Sequence, residues 1–289
     1  MRMAGRREGI CRLTGEPGRF VDAHILPKAL TYPAEKGLPF AQAGDEHPPI
    51  KRWSSWYDPA IVTRAGEDIL AEYDNFAVAE LRTHRLVWSG WDGADALVSD
   101  DYVPMPPMPG IPGGGLRVIH GVDGPRLRLF FLSLLWRAAI SRLPEFGQID
   151  IRSSDLRRLR RILLARDPAP LSFYPISLHQ IVARGAIHNH TPVAERRPLN
   201  IGRLDGPTLP IFRFYLDGLV AHIHRPGAER HIAPLMDRML GGGEPLVVTT
   251  TDFDSSRQRE TVAGILADTS RRWPDRLSRI PGFADSAST

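Results

Sequence analysis

Cysteine is almost absent from this sequence of 289 residues, and Cys11 is its only example. One cysteine excludes an intramolecular disulfide and a zinc site built from several cysteines. The scarcity fits a reducing compartment, and the basic N terminus lacks the apolar run of a secretory signal. We therefore expect a cytoplasmic protein.

Long apolar runs are also missing. The longest such stretch, residues 127–140, is interrupted by Arg128, Ser133 and Arg137, whereas a membrane-spanning helix needs about 20 predominantly apolar residues. We expect no membrane partner.

Lysine is scarce as well, so arginine supplies nearly all of the positive charge. Lys and Arg together number 37 against 33 Asp and Glu, which leaves a net charge of +4. Arginine suits bidentate contacts with phosphate, although a GC-rich genome would produce the same bias. The balance permits binding to nucleic acid without requiring it.

Proline and glycine concentrate in VPMPPMPGIPGGG, residues 103–115. Neither helices nor sheet interiors tolerate this composition, so the segment is interpreted as a linker. It would divide the chain into a first module, residues 1–102, and a companion domain, residues 116–289. The length of the chain is sufficient for two modest domains.

Apolar periodicity predicts the main elements. In the first module, steps of three and four predict a helix over residues 67–83, followed by a short strand, RLVWSGW. In the second, two patterns of helical period and the Asp217-Gly218 hairpin turn are the clearest signals. The predicted elements are helices over 127–139, 154–166 and 256–273, a hairpin over 212–225 and a strand over 246–251. The fold class predicted for the whole chain is α+β.

The most informative string is CRLTGEPGRFVDAHILPKAL, residues 11–30. It resembles the start of the ββα fold in the HNH (His-Me finger) endonuclease-like family of bacterial and phage proteins. The resemblance implies that His24 is the general base toward a water molecule and that Asp22 is its acidic neighbour. Imidazole chemistry is compatible with that role, because the ring titrates near neutral pH.

A second string, GEDILAEYDNFAVAELR at residues 66–82, is similar to the family segment in which a C-x-x-C-Glu pattern leads into a helix. By resemblance, Asn75 stands where the family places its last metal ligand, and Asp74 beside it offers a further oxygen. The implied metal site comprises Asp22, Asp74 and Asn75 and would hold Mg²⁺ or Mn²⁺, which prefer oxygen ligands.

The family's zinc cysteines are replaced in this chain. Ala71, Asp74 and Thr14 occupy positions where cysteines would stand. We therefore expect no structural zinc. Instead, packing by four aromatic residues should stabilise the module: Trp53, Trp56, Tyr57 and Trp88.

Each of these residues also has a structural interpretation. His24 and Asp22 would then cap a core turn and a helix near Pro27, while Asp74 and Asn75 would be solvated helix residues. A basic group is expected to contact a phosphate backbone, although arginines in such a run usually form a solvated helix face. The group comprises Lys28, Arg157, Arg158 and Arg161.

Other histidines are weaker candidates. His222 and His224 alternate along a predicted strand and would share one face, but no third metal ligand is evident. The literal string His188-Asn189-His190 is a coincidence, because the family's name refers to residues spread over the ββα unit.

Three functional hypotheses follow. The first is a metal-dependent HNH-type endonuclease acting on DNA, in a prophage or antiphage setting. The second is an HNH-derived module that has lost turnover and binds nucleic acid or protein; the third is a structural or assembly component. The residues leave open whether DNA or RNA is bound, and whether a protein partner or a second copy of the chain takes part.

Overall fold

The structure is a computed structural model that describes residues 8–33, 37–44, 47–105, 114–199, 207–277 and 279. Its class is α+β, as predicted. The strands are β1 (Glu8–Ile10), β2 (Pro17–Arg19), β3 (Ala23–His24), β4 (Phe40–Gly44), β5 (His47–Arg52), β6 (Tyr57–Asp58), β7 (Tyr102–Met105), β8 (Gly114–Ile119), β9 (Ile176–Ile181), β10 (Val193–Pro198), β11 (Thr208–Leu216), β12 (Leu219–His224) and β13 (Leu246–Thr251). The helices are α1 (Arg64–Thr83), α2 (Gly124–Ile140), α3 (Ser153–Ala165), α4 (Glu229–Ile232), α5 (Arg257–Arg272) and α6 (Pro274–Leu277).

Seven strands form the main sheet, in the order β10-β11-β12-β9-β13-β8-β7. All neighbours are antiparallel except β13 and β9, which are parallel. The predicted hairpin is confirmed as β11 and β12, and its turn residues Asp217 and Gly218 have φ of 51° and 86°. These positive values are those of the tight hairpin turn that Asp-Gly favours.

Helix α2 is the central helix of the fold. Asp123 caps its start by accepting a hydrogen bond from the N–H of Arg126 at 3.0 Å, and Pro125 occupies the first turn. Its side chains share one apolar cluster with α1, α3 and one face of the main sheet. This cluster includes residues from both sides of the predicted linker, from Cys11 to Val248.

The ends of the predicted linker are paired strands. Residues of β7 and β8 form an antiparallel pair at the edge of the main sheet, and residues 106–113 between them lie outside the described part of the chain. The glycines permit this pairing, because a Cβ atom at Gly114 or Gly115 would lie 2.3 Å from a backbone oxygen of an adjacent strand. Glycine here allows the close approach of backbones.

Two local predictions were wrong. The RLVWSGW segment contains a 3₁₀ turn, Trp88–Gly90, rather than a strand, because its backbone N–H groups bond to Asp217 across the fold. The four aromatic residues do not form a common cluster: Trp56 and Trp88 are buried in different clusters, whereas Trp53 is 71% exposed. Near Pro27 the structure has only a short 3₁₀ turn, Lys28–Leu30.

Candidate functional site around His24

His24 lies on β3, which pairs with β6 in a separate two-stranded antiparallel sheet. His24 stands opposite Tyr57, and their rings meet edge to face with centroids 6.3 Å apart. Helix α1 begins six residues after β6 ends. The order is therefore strand, strand, helix, although about thirty residues containing β4 and β5 separate the two strands.

The environment of His24 favours its neutral form. Ala23 and Ile25 are fully buried, whereas His24 is half-buried and Asp22 is exposed. Burial lowers the pKa of His24 below its ordinary value; Arg137 and Lys28 lower it further, while Asp74 and Asp22 raise it. A neutral imidazole at pH 7 can accept a proton.

Arg137 of α2 is the closest polar neighbour that sequence reasoning missed. It is 1% exposed, and it donates to both carboxylate oxygens of Asp74, at 2.9 and 2.6 Å. The same Nη1 atom that contacts Asp74 also donates to the backbone oxygen of His24 at 2.9 Å. Asp74 is thus brought beside the His24 strand, but with a guanidinium group between them.

Glu67, one α1 residue that the sequence did not single out, lies in the same environment. Burial raises the pKa of its carboxyl group, Arg137 lowers it and Asp74 raises it, for a net increase. Its Oε2 is buried without a hydrogen-bond partner among the described residues. Glu67 and Asp74 are seven residues apart, two helical turns, which places them on one face of α1.

The predicted metal ligands do not assemble around one position. Both oxygens of Asp74 are engaged by Arg137, and Asn75, the next helix residue, is exposed. Among the described residues, no group of three or more His, Cys, Asp or Glu side chains has the arrangement of a metal site. The Asp74 carboxylate is therefore not free to hold the Mg²⁺ or Mn²⁺ ion that the resemblance implies.

The loop of residues 11–16, here called the Cys11 loop, contains Cys11 and Thr14, which the family resemblance places at zinc-ligand positions. Cys11 is fully buried, and its Sγ accepts the N–H of Thr14 at 3.4 Å. Burial raises the pKa of the thiol, but hydrogen bonds from Thr14 and Thr63 outweigh that effect, so the pKa is lowered overall. Arg160 of α3 donates to the backbone oxygens of Leu13 and Thr14 at 2.5 and 2.8 Å. A guanidinium group thus ties this loop to the rest of the molecule.

The predicted phosphate contacts differ in exposure. Lys28, Arg157 and Arg161 are exposed, and none forms an ion pair within 4.0 Å with a carboxylate in the described part of the chain. Arg158 is half-buried, with its Cζ 4.3 Å from the centroid of the Phe173 ring. Only the first three are therefore available to a long polyanion.

Four other histidines lie on the face of the main sheet opposite α2: His179, His188, His222 and His224. His222 and His224 do share a face, and His179 of β9 joins them, with its ring centroid 4.2 Å from that of His222. His188 stacks on Tyr215 at 4.4 Å. These contacts belong to the packing of the sheet and are separate from the His24 sheet.

Comparison with protein-family models, curated proteins and solved structures finds no match for this chain. In the ranges that the structure describes, no helix combines the length and apolar character needed to cross a membrane. The geometry around His24 is consequently the main guide to the function of this chain.

Proposed function

We propose that this chain is an HNH-derived module that binds DNA without cleaving it. The observation that carries the proposal is the bidentate contact between Arg137 and Asp74, which occupies the carboxylate that a divalent ion would need. The order of β3, β6 and α1, with His24 on the first strand, supports the derivation from the ββα fold.

Charge and burial explain why Arg137 excludes a metal at Asp74. A cation that took the carboxylate would leave the guanidinium group buried and unpaired, and breaking a buried ion pair costs roughly 3–5 kcal/mol. Mg²⁺ is moreover reluctant to lose its water ligands. Arg137 thus takes the position that a metal would hold, and it is too buried to contact DNA itself.

The exposed cations provide the binding surface. Arg157 and Arg161 are four residues apart on α3, so their side chains lie on the same side of that helix. Arg160, between them, joins α3 to the Cys11 loop, and we propose that DNA contacts both α3 and Lys28 of the first module. Each phosphate contact releases counterions, and the affinity should therefore fall steeply with salt.

The test is fluorescence anisotropy with a labelled DNA duplex, at several salt concentrations and in excess EDTA. We expect saturable binding that does not need metal. Lys28→Gln/Arg157→Gln/Arg161→Gln should make the salt dependence shallower by about 0.9 in log–log slope per lost contact. Arg276→Gln, an exposed arginine on α6, is the matched control and should bind as wild type. Absence of metal-free binding would contradict the proposal.

A metal-dependent endonuclease is the second candidate, and the state of His24 favours it. Its lowered pKa keeps the ring neutral at pH 7, and the exposed Asp22 is two residues away. Plasmid nicking in Mg²⁺ or Mn²⁺ separates the two candidates. Nicking that is lost in His24→Ala and retained in His84→Ala would establish catalysis and overturn the binding-only proposal, whereas intact plasmid supports it.

A further inference from the structure

A small cavity lies far along the chain from His24, between the first turn of α3 and the residues that follow β12. Its volume is about 210 Å³, smaller than the ~300–1,000 Å³ pockets that bury drug-sized ligands. Arg152, Arg158 and Arg225 all line it. The main sheet contributes His224, whereas His24 belongs to the separate β3–β6 sheet.

The guanidinium groups of this cavity form no close ion pair in the described structure, although Arg152 interacts electrostatically with Glu229. Backbone hydrogen bonds lower the pKa of the Glu229 carboxyl group most, and Arg152 lowers it further. None of the three forms an ion pair within 4.0 Å with any described residue. Two carboxylates also line the cavity, but each already accepts a hydrogen bond: Asp155 from the Tyr174 hydroxyl at 3.1 Å and Glu229 from the Gly227 N–H at 2.9 Å. Three arginines stand against two carboxylates in the lining, which leaves a surplus of one positive charge.

Aromatic rings orient two of the arginines without neutralising them. The Cζ atom of Arg158 lies 4.3 Å from the centroid of Phe173, and that of Arg225 lies 4.8 Å from the centroid of Phe212. A cation–π contact holds a guanidinium group in place while leaving its N–H donors available. Because these two side chains are already held in place, they lose less conformational entropy when an anion binds.

His224 provides an independent sign of a ligand. The residue lines the cavity and is 3% exposed. One ring nitrogen, Nε2, pairs with the Ser177 hydroxyl at 3.1 Å, whereas Nδ1 is buried with no hydrogen-bond partner in the described structure. Burial lowers the pKa of His224 to about 4, so the ring is neutral at pH 7. In the tautomer in which the Ser177 hydroxyl donates to Nε2, Nδ1 carries the proton and is a donor without a partner in the described structure.

We propose that this cavity binds the phosphoryl group of a small phosphomonoester. Three guanidinium groups and one imidazole N–H offer more donors than a carboxylate can accept, and arginine matches the geometry of phosphate oxygens. The N terminus of α3, a helix of 13 residues, adds the positive end of its dipole. The site is distinct from the His24 region and does not depend on the function proposed for that region.

Isothermal titration calorimetry at pH 7 tests the proposal, with glycerol 3-phosphate and inorganic phosphate as probes and succinate as the dicarboxylate comparison. We expect one saturable site per chain for both phosphoryl probes and weaker binding of succinate. Arg225→Gln and Arg152→Gln should each weaken glycerol 3-phosphate by about tenfold or more, as expected for a lost charge-assisted hydrogen bond.

Arg276→Gln is the matched control, because Arg276 is exposed on α6 and does not line the cavity. It should bind as wild type. His224→Leu should lose affinity through the missing donor; Arg152 is exposed, so Arg152→Gln keeps the test valid if the His224 variant does not fold. Three results would overturn the proposal: no saturable binding of either phosphoryl probe, equal weakening in Arg276→Gln, or tighter binding of succinate.

Discussion

Asp74→Asn is the most direct perturbation of the His24 region. The substitution keeps the size of the side chain but removes its charge and one of the two oxygens that Arg137 contacts. Arg137 is 1% exposed and cannot move its charge into water without disturbing α2. The result is a buried guanidinium group without a counter-charge.

The expected loss in the free energy of unfolding is roughly 3 kcal/mol, at the low end of the range for a broken buried ion pair. The low end applies because the side chain of Asp74 is 19% exposed and Arg137 keeps its contacts with Ser133 and the His24 backbone. Glu72→Gln is the matched control on the same helix. Its partner is Arg166, both side chains are more than half exposed, and such pairs contribute about 0–1 kcal/mol.

Urea denaturation followed by tryptophan fluorescence measures both variants. The double variant Asp74→Leu/Arg137→Met should recover much of the stability lost in Asp74→Asn, since replacing both partners of a buried pair by apolar side chains is often neutral or stabilising. If Asp74→Asn changes the free energy of unfolding no more than Glu72→Gln does, the Arg137–Asp74 pair does not behave as a buried ion pair. A divalent ion could then displace Arg137 from Asp74 at little cost in the free energy of unfolding.

Three further outcomes are expected. Arg160→Gln should increase the rate of amide hydrogen exchange in the Cys11 loop, because two charged hydrogen bonds are lost. Arg161→Gln, at the exposed neighbouring residue, should leave that rate unchanged. Hydrogen-exchange mass spectrometry measures both variants. The pKa of His224 is lowered to about 4 in the folded state, so the unfolded chain binds the proton first as pH falls. The free energy of unfolding should therefore decrease as pH drops from about 6.5 toward 4. Urea denaturation of His224→Leu over the same pH range should show a smaller decrease. Gly218→Ala should destabilise the fold, because φ is +86° and the new Cβ would lie 2.3 Å from an indole nitrogen; a Gly264→Ala variant, with open space around it, is the thermal-melt control.

Local patterns in the sequence were sufficient for the main helices and the hairpin. The predicted helix over 67–83 begins within a few residues of α1, and those over 154–166 and 256–273 agree equally well with α3 and α5. Each of these segments combines apolar residues at helical spacing with residue types that commonly begin or end a helix. The Asp217-Gly218 turn needed only two residues, because few others adopt two successive positive φ values.

Long-range contacts account for the failures. The Trp88 segment has an apolar pattern that suits a strand, but its backbone donors bond to Asp217, 129 residues away. Residues 103–115 have a linker composition, yet Gly115 is required for close pairing of β7 and β8. The composition shows that the backbone can adopt many conformations at these glycines. The strand with which they pair determines which conformation they adopt.

The His24 region shows the same limit for function. The resemblance drew attention to Asp74 as a metal ligand, but its partner is Arg137, 63 residues away on α2. One signal was present: an arginine within an otherwise apolar buried helix needs a counter-charge. Sequence alone could not show which carboxylate would provide it.

The supports of the His24 region come from α2 and α3, which both follow residues 103–115 in the chain. Arg137 of α2 neutralises Asp74 and holds the backbone oxygen of His24, and Arg160 of α3 holds the Cys11 loop. Two guanidinium groups thus contact the Asp74 carboxylate and the backbone oxygens of the Cys11 loop. A guanidinium charge is permanent and comes with the chain, so the region does not need a captured ion to neutralise Asp74 or to fix the loop. These two arginines hold α1 and the Cys11 loop to the rest of the fold, and they are the basis of our proposal that the module binds DNA without metal-dependent cleavage.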